Sequence, residues 1–552
     1  MDPLESIHDT KTGKKDIEPS FTGGKKMSAA FDDRYDSVMY YYYAPFRHEG
    51  DPVKWWDSML VYKHSIGAKN VKDEMIIDFA SQKIKRTLQE GADLVMPYKS
   101  DWAIAAVKNL VSKELRLYTT PKKDLSLNSV WTKICDYEDG IVSYAAQGND
   151  IYMMTYKDAP HFKVISTSLS QPSLKNAATV IPQQNFVMED MHATKDMLLV
   201  NALTDEGGKL ISYMFGSKKS ADIRLPLSGT VRINYASPKE RDFIYSINSW
   251  TRTAQTYRYN SIKGASEISA TQKNLSIGSE GLEVKEVKVK SHDGVMVPMT
   301  IIYKKGLKPY AYNYTGLTAY GAYGHQDNPY FWPEDMVRFD RGYVRAIAHV
   351  RGGGIYGEEW HIAGRMANKP NTWKDVIACA EFLIANKYAM PGKLALSGGS
   401  AGGITAGRSI TERPDLFRAA IIGVGALDMV GFERSPNGAG NTTEFGSTKT
   451  KEGFESLLTM STYHHIKDGT SYPAIMFTHG VNDNRVPVYN SVKTYARFKE
   501  ATSSGLPVLL NLNFDSGHGM QQTNADIIQS AADNLSFIYW MMGYPDFEPV
   551  KK

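Results

Sequence analysis

An all-β domain followed by a mainly parallel, doubly wound α/β domain is the fold predicted for this 552-residue chain. Three observations carry it. Between about residues 31 and 263, short apolar runs are broken by polar turns. From 282 onward, strand-like runs alternate with segments of helical periodicity. Within that second half, Gly398-Gly399-Ser400-Ala401-Gly402 joins the apolar run Leu394-Ala395-Leu396 to a helical segment at 404–412, which places a serine at a sharp strand-to-helix turn.

The length exceeds what one compact core holds, so two large domains are expected. Hydrophobic residues make up 42% and charged residues 22%, an ordinary globular balance. A net charge of +4 over this length supports neither nucleic-acid binding nor a membrane-surface role, and the lysines at 11–15 read as a solvated tail. The two cysteines, Cys135 and Cys379, fall in different predicted domains, which argues against a disulfide framework or a cysteine metal site; no metal or cofactor is expected. No run reaches bilayer length, and residues 1–20 lack the apolar core of a secretory signal. The cytoplasm is the expected compartment, with secretion left open should the natural N-terminus lie upstream. The sequence carries no reading of oligomeric state.

In chain order, residues 1–30 are expected to be a tail. The runs 38–43, 102–107, 151–155, 197–200 and 243–247 read as strands, and the last four recur at about 46 to 49 residues, a spacing that suits a four-stranded propeller blade. A plain antiparallel sandwich is the competing arrangement. At that spacing, 31–263 holds about four to five blades, and the polar, serine-rich stretch 264–281 reads as a linker. In the second domain, 284–290 and 295–303 flank Ser291-His292-Asp293-Gly294, a hairpin with an Asp-Gly turn. Strands are then expected at 317–320, 343–350, 394–397, 419–424, 474–478 and 508–514, with helices at 372–386, 404–412 and about 525–541. On such a sheet the loops leaving the strand C-terminal ends carry the chemistry.

Those loops supply partners for the serine. A serine hydroxyl attacks only when a histidine takes its proton, and that histidine needs a carboxylate to orient it. In this arrangement the chain order is serine, carboxylate, histidine. Asp483 follows the run 474–478, and His518 follows 508–514 in Asp515-Ser516-Gly517-His518-Gly519. His479 is a rival base, placed before the carboxylate at a strand end; Asp515 is a rival carboxylate, too near His518 along the loop to reach the far side of its ring. Negative charge developing on a substrate carbonyl needs donors already in place. The N–H of Ala401 is one; a tyrosine hydroxyl of Ala319-Tyr320-Gly321-Ala322-Tyr323-Gly324 is another, against a plain core-packing role.

Several of these segments, namely His349-Val350-Arg351-Gly352-Gly353-Gly354, Asn371-Thr372-Trp373-Lys374-Asp375, the Ser400 turn, Asp483-Asn484-Arg485-Val486 and Gly517-His518-Gly519, together resemble the prolyl oligopeptidase family, particularly its oligopeptidase B branch. The resemblance spans 282 to about 543 and extends more weakly into the first half through Asn149-Asp150-Ile151-Tyr152 and Asp158-Ala159-Pro160. It implies an α/β-hydrolase catalytic domain at 282–552 and a β-propeller that restricts access to short peptides. It further implies Ser400 as nucleophile forming an acyl-enzyme, Asp483 as orienting carboxylate and His518 as general base and acid. Tyr320 would join Ala401 as oxyanion donor, Arg485 would hold a substrate backbone carbonyl, and Arg351 would be structural.

Two departures bear on what the resemblance implies. Asn441 stands where prolyl-specific members place a tryptophan and oligopeptidase B members a glutamate, and it offers neither a flat apolar face nor a charge. Glu444 would replace that charge only through a loop shift. A broader or altered preference is therefore expected, with Tyr323, Phe445 and Val486 joining Asn441 around the side chain that precedes the cleaved bond. Second, propeller-like sequence begins by about residue 30, and four to five blades stand where the family has seven, so an incomplete propeller, truncated or open, is expected. An acylaminoacyl peptidase or esterase of the same superfold is the alternative enzyme, which Arg485 disfavours, and a non-catalytic propeller binding module is the alternative outside enzymes.

Overall fold

A computed structural model describes residues 24–31, 38–45, 60–65, 73–78, 83–86, 90–109, 111–204, 207–269, 281–308, 313–390, 392–519 and 523–547. The chain divides into two units, residues 1–247 with 255–272, and 248–254 with 273–552.

Among its described residues the first unit holds five four-stranded antiparallel sheets, each built from four strands consecutive in the chain. They occupy 24–77, 90–135, 141–181, 187–223 and 230–268. The third sheet shows why their apolar runs are continuous. On the strand Asp150–Thr155, Ile151 and Met153 pack with Ile104 and Leu117 of the second sheet. Tyr152 and Met154, on the opposite face, pack with Leu198 and Val200 of the fourth. Met197 and Leu199 turn in their own strand toward the fifth sheet. A strand sandwiched between neighbours buries both faces, so the polar alternation of a half-exposed strand disappears.

Two elements fall where none was expected. Ala265–Ile268, within the expected linker, is the last strand of the fifth sheet and pairs with Gln255–Asn260. It lies at a sheet edge, with three of its four side chains exposed, so it has no apolar run to announce it. Gly24–Phe31 overlaps the expected tail and pairs with Val38–Pro45. Residues 270–280 and 1–23, the remainder of the expected linker and most of the tail, lie outside the described residues.

Among its described residues the second unit is built on one eight-stranded sheet. Its strands are β1 (Leu282–Lys290), β2 (Met296–Lys304), β3 (Tyr314–Thr318), β4 (Tyr343–Ala348), β5 (Leu394–Gly399), β6 (Ala419–Gly423), β7 (Ala474–Gly480) and β8 (Val508–Asn513), in the order β1-β2-β4-β3-β5-β6-β7-β8. The hairpin of β1 and β2 and the β2–β4 pair are antiparallel; every pair from β4 to β8 is parallel. Four helices pack against this sheet: α1 (Pro370–Ala385), α2 (Gly402–Glu412), α3 (Tyr489–Ala501) and α4 (Asn524–Met541). Leu394, Leu396, Ile422 and Phe477 share a core with Val376 and Leu383 of α1, Ile404 of α2 and Phe498 of α3. Ala395, Ile421 and Met476 share another with Phe537, Ile538 and Met541 of α4. The period-two alternation of the strands thus sends helices to both faces.

β3 ends at Thr318, before Tyr320, which was expected inside the strand. Its pairing with β4 and β5 stops there, and Gly321 takes a left-handed φ of 72° that turns the chain off the sheet. Among the described residues no helix is long and apolar enough to cross a membrane. Cys135 and Cys379 are both free and buried.

Candidate active site

The parallel strands deliver one loop after another to the same end of the sheet. β5 runs into Ser400, whose φ of 54° is left-handed, a strained geometry for a residue with a Cβ. The surrounding glycines make the turn possible. A Cβ on Gly398 would lie 2.3 Å from the carbonyl oxygen of Gly402, and one on Gly403 would lie 2.6 Å from Cα of Gly425. Backbone bonds pin the turn: the Ser400 N–H donates to Gly423 O at 2.9 Å, and its own carbonyl accepts from Gly403 and Ala426, each at 2.9 Å. Ala401 caps α2 and is 2% exposed. A helix start leaves N–H groups without intrahelical acceptors, which suits this N–H to receive an oxyanion.

His518, beyond β8, places Nε2 2.9 Å from Ser400 Oγ and Nδ1 2.6 Å from Asp483 Oδ2. Because Nδ1 faces a carboxylate it carries the proton, which leaves the Nε2 lone pair to accept from the serine hydroxyl. Asp483, in the loop after β7, accepts the N–H groups of Arg485 and Val486 on Oδ1, each at 2.9 Å. Burial alone would push its carboxyl up, but hydrogen bonds from His479 and His518 and the Val486 N–H outweigh it and hold the group at about 2. Asp515 is exposed, and the carboxylate on His518 is that of Asp483. The other rival, His479, has a place of its own in this network. Its Nε2 faces Val486 O at 2.8 Å and Asp483 Oδ2 at 3.2 Å, while Nδ1 meets the Ser491 hydroxyl at 2.8 Å.

The loop after β3 brings in Tyr320, whose carbonyl accepts from Thr405 Oγ1 of α2 at 2.9 Å. Burial raises its phenol, while a hydrogen bond with the Ser400 side chain and the charge of Arg485 act in the opposite direction. The Tyr320 ring lies at the start of α2, where a Cβ on Gly402, two residues past Ser400, would stand 3.2 Å from its Cδ2, and the charge of exposed Arg485 acts on both Tyr320 and Tyr323.

Tyr323 is left-handed, with φ 59°, and its hydroxyl donates to Asn441 Oδ1 at 2.5 Å. The Asn441 amide donates in turn to Asn437 O at 2.5 Å, so both ends of this 2% exposed side chain are engaged within the protein. The Phe445 ring meets Tyr323 edge-on at 5.6 Å and is 1% exposed, so it backs the Tyr323 ring instead of presenting an open wall. Val486 is buried and bonded on both sides to the Asp483 and His479 network. Glu444 is turned inward, accepting the Tyr323 N–H at 3.0 Å and facing His361 Nε2 at 2.8 Å. Behind the loop stands Lys369, fully buried, with Nζ donating to Gly321 O at 2.6 Å. Sequence reasoning missed Lys369 and His361: both lie in the long connection between β4 and α1, well past the strand end, and a lysine before a helix-starting proline looks like any surface cap.

Arg351 is buried too, bonded through its backbone N–H and its Nε to Asp375 Oδ2, both at 3.0 Å, and it ties the start of α1 to the loop after β4.

Comparisons with known proteins place this geometry in context. The profile of the Prolyl oligopeptidase family matches residues 330–544, and that of the Prolyl oligopeptidase, N-terminal beta-propeller domain matches 9–272. A prolyl endopeptidase of Elizabethkingia meningoseptica is 31% identical over 492 residues, which cover 88% of this chain and 68% of the relative. A solved structure from a study of two prolyl endopeptidases superposes with a TM-score of 0.87 at 25% identity, covering 97% of this chain and 77% of the other. Oligopeptidase B from Leishmania major shares the fold, with a TM-score of 0.81 at 20% identity, over 93% of this chain and 72% of its own.

Proposed function

The chain belongs to the prolyl oligopeptidase family, and we propose that it is a serine oligopeptidase that hydrolyses short peptides through an acyl-enzyme on Ser400. The observation that carries this reading is the unbroken hydrogen-bonded line from Ser400 Oγ through His518 to Asp483. In the proposed reaction His518 Nε2 takes the proton as Ser400 Oγ attacks the scissile carbonyl. The oxyanion is held by the Ala401 N–H and the Tyr320 hydroxyl, and the imidazolium is stabilised by Asp483. The same proton then goes to the leaving amine, and a water activated by His518 releases the acyl group. Arg485 is assigned to a substrate backbone carbonyl, a contact useful to a peptide and of little use to a simple ester.

For the residue preceding the cleaved bond the proposal is a neutral, broad preference. Asn441 has both polar ends engaged within the protein, and Glu444 spends its charge on the backbone and on His361, so neither offers a counter-charge to arginine or lysine. Tyr323, with Phe445 packed behind it and Val486 buried beside it in the Asp483 loop, contributes the apolar surface around that side chain. The cytoplasm remains the proposed compartment, which the two free, buried cysteines suit.

A fluorophosphonate probe tests the nucleophile: wild type is labelled and Ser400→Ala is not. Equal labelling of the two would defeat the reading. A set of short peptides varied at the residue before the cleaved bond tests the preference, and a strict requirement for arginine or for proline would contradict it.

A further inference from the structure

Four ionisable side chains are buried together behind the loop that carries Tyr320. Lys369 is 0% exposed, and Glu358, His361 and Glu444 are each 4% exposed. Glu444 Oε2 meets His361 Nε2 at 2.8 Å, Glu358 Oε1 lies 3.3 Å from His361 Nδ1, and Lys369 Nζ lies 3.9 Å from Glu444 Oε1. Two of the four reach the loop backbone at neighbouring points: Lys369 donates to the carbonyl of Gly321, and Glu444 accepts the N–H of Tyr323. Those two residues flank the loop's turn and both hold left-handed φ angles, 72° and 59°.

Lys369 is costly where it stands. It immediately precedes α1, where a helix's positive end disfavours a cation, and it is removed from water entirely. Burial lowers its ammonium to about 8, with Glu444 acting to raise it. Burial likewise pushes Glu444 up, but the hydrogen bond from His361 and the charge of Lys369 bring it below the ordinary range. A cation kept under these conditions calls for a compensating role, and its bond to Gly321 O, one residue from Tyr320, supplies one.

We propose that Glu444 and Lys369 are positioning residues that grip the backbone of Gly321 and Tyr323 and thereby hold the Tyr320 hydroxyl at Ser400. This inference rests on Tyr320 being an oxyanion donor. Neither side chain touches substrate; each acts through the loop. A hydroxyl displaced by a fraction of an ångström loses much of its effect in the transition state and little of substrate binding.

The test is a double-mutant cycle of Glu444→Gln with Tyr320→Phe, measured as kcat and KM on a short neutral peptide carrying a fluorogenic amide. Tyr320→Phe is expected to lower kcat about 100-fold or more, the usual loss for one oxyanion donor. Glu444→Gln is expected to lower kcat about tenfold or more, with KM changed less than about threefold. In the Tyr320→Phe background the same Glu444→Gln change is expected to cost less than about threefold, because the group it positions is gone. Effects that multiply would overturn the proposal and assign Glu444 to general structure. A silent Tyr320→Phe would instead defeat the oxyanion reading itself, whatever Glu444→Gln does. Should circular dichroism show Glu444→Gln unfolded, Glu444→Asp takes its place. It keeps the buried charge but withdraws the oxygen from the Tyr323 N–H, and the same non-additivity is expected of it.

Discussion

The Asp483 carboxylate stands 2.6 Å from Nδ1 of His518, and that one oxygen, Oδ2, also lies 3.2 Å from Nε2 of His479. Two imidazoles therefore converge on one buried carboxylate, and two backbone N–H groups occupy its other oxygen. An acid so supplied with donors stays ionised wherever the enzyme works.

That arrangement makes stability depend on pH. Asp483 falls from its ordinary 3.8 to about 2 in the folded chain. A carboxyl depressed by folding contributes stability that is whole above its unfolded value and is lost as pH falls through its folded one. The stability gap between wild type and Asp483→Asn, read by urea unfolding, should shrink by about 2 kcal/mol from about pH 5 to about pH 2. A gap that stays constant across that window would contradict the hydrogen-bonded carboxylate. Above it, Asp483→Asn should lower kcat about ten-thousand-fold, since the amide favours the wrong histidine tautomer.

The Tyr323–Asn441 contact sets up a change of specificity. Asn441→Glu places a carboxylate where the asparagine amide now accepts from Tyr323. The ratio of kcat/KM for peptides with arginine before the cleaved bond to those with alanine should rise about tenfold or more, as an unpaired charge gains a partner. An unchanged ratio on a peptide panel would show that position 441 does not face the substrate.

The role proposed for Arg485 predicts a difference between amide and ester substrates. Arg485→Met should lower kcat/KM for a tripeptide amide about tenfold, chiefly through KM, and leave a small p-nitrophenyl ester within about twofold. Equal losses on both would move Arg485 from substrate holding to general support of the Asp483 loop.

Glycine at the elbow is a matter of space. A Cβ at Gly398 would sit 2.3 Å from backbone oxygen, where no side chain can yield. Gly398→Ala should destabilise the protein by about 2 kcal/mol or more and suppress probe labelling of Ser400, whereas Gly216→Ala, whose Cβ would meet nothing within 4 Å, should leave both stability and labelling unchanged. Thermal unfolding monitored beside labelling distinguishes the two.

Much of the α/β unit was legible in the chain because each of its parts is local. A strand, a turn and the residue just past it lie within about ten positions, so Ser400 after β5, Asp483 after β7 and His518 after β8 could be placed from apolar runs and glycines alone. Edge strands were less legible. Ala265–Ile268 is polar because its side chains face water, and it joins a sheet only by hydrogen-bonding to Gln255–Asn260.

By itself, then, the sequence determined the eight strands of the α/β unit, three of the four helices packed on them, the chemistry of the three proposed catalytic groups and the loops that bear them, since all of these follow from short-range pattern, whereas α3 (Tyr489–Ala501) went unread. Only the tertiary structure decided what the polar groups around Tyr323 are used for. Asn441 meets Tyr323 across 118 positions, Glu444 meets Tyr323 across 121, and Lys369 meets Gly321 across 48. A buried polar side chain must satisfy itself with whatever the fold brings within about 3 Å, and no spacing along the chain states which partner that is.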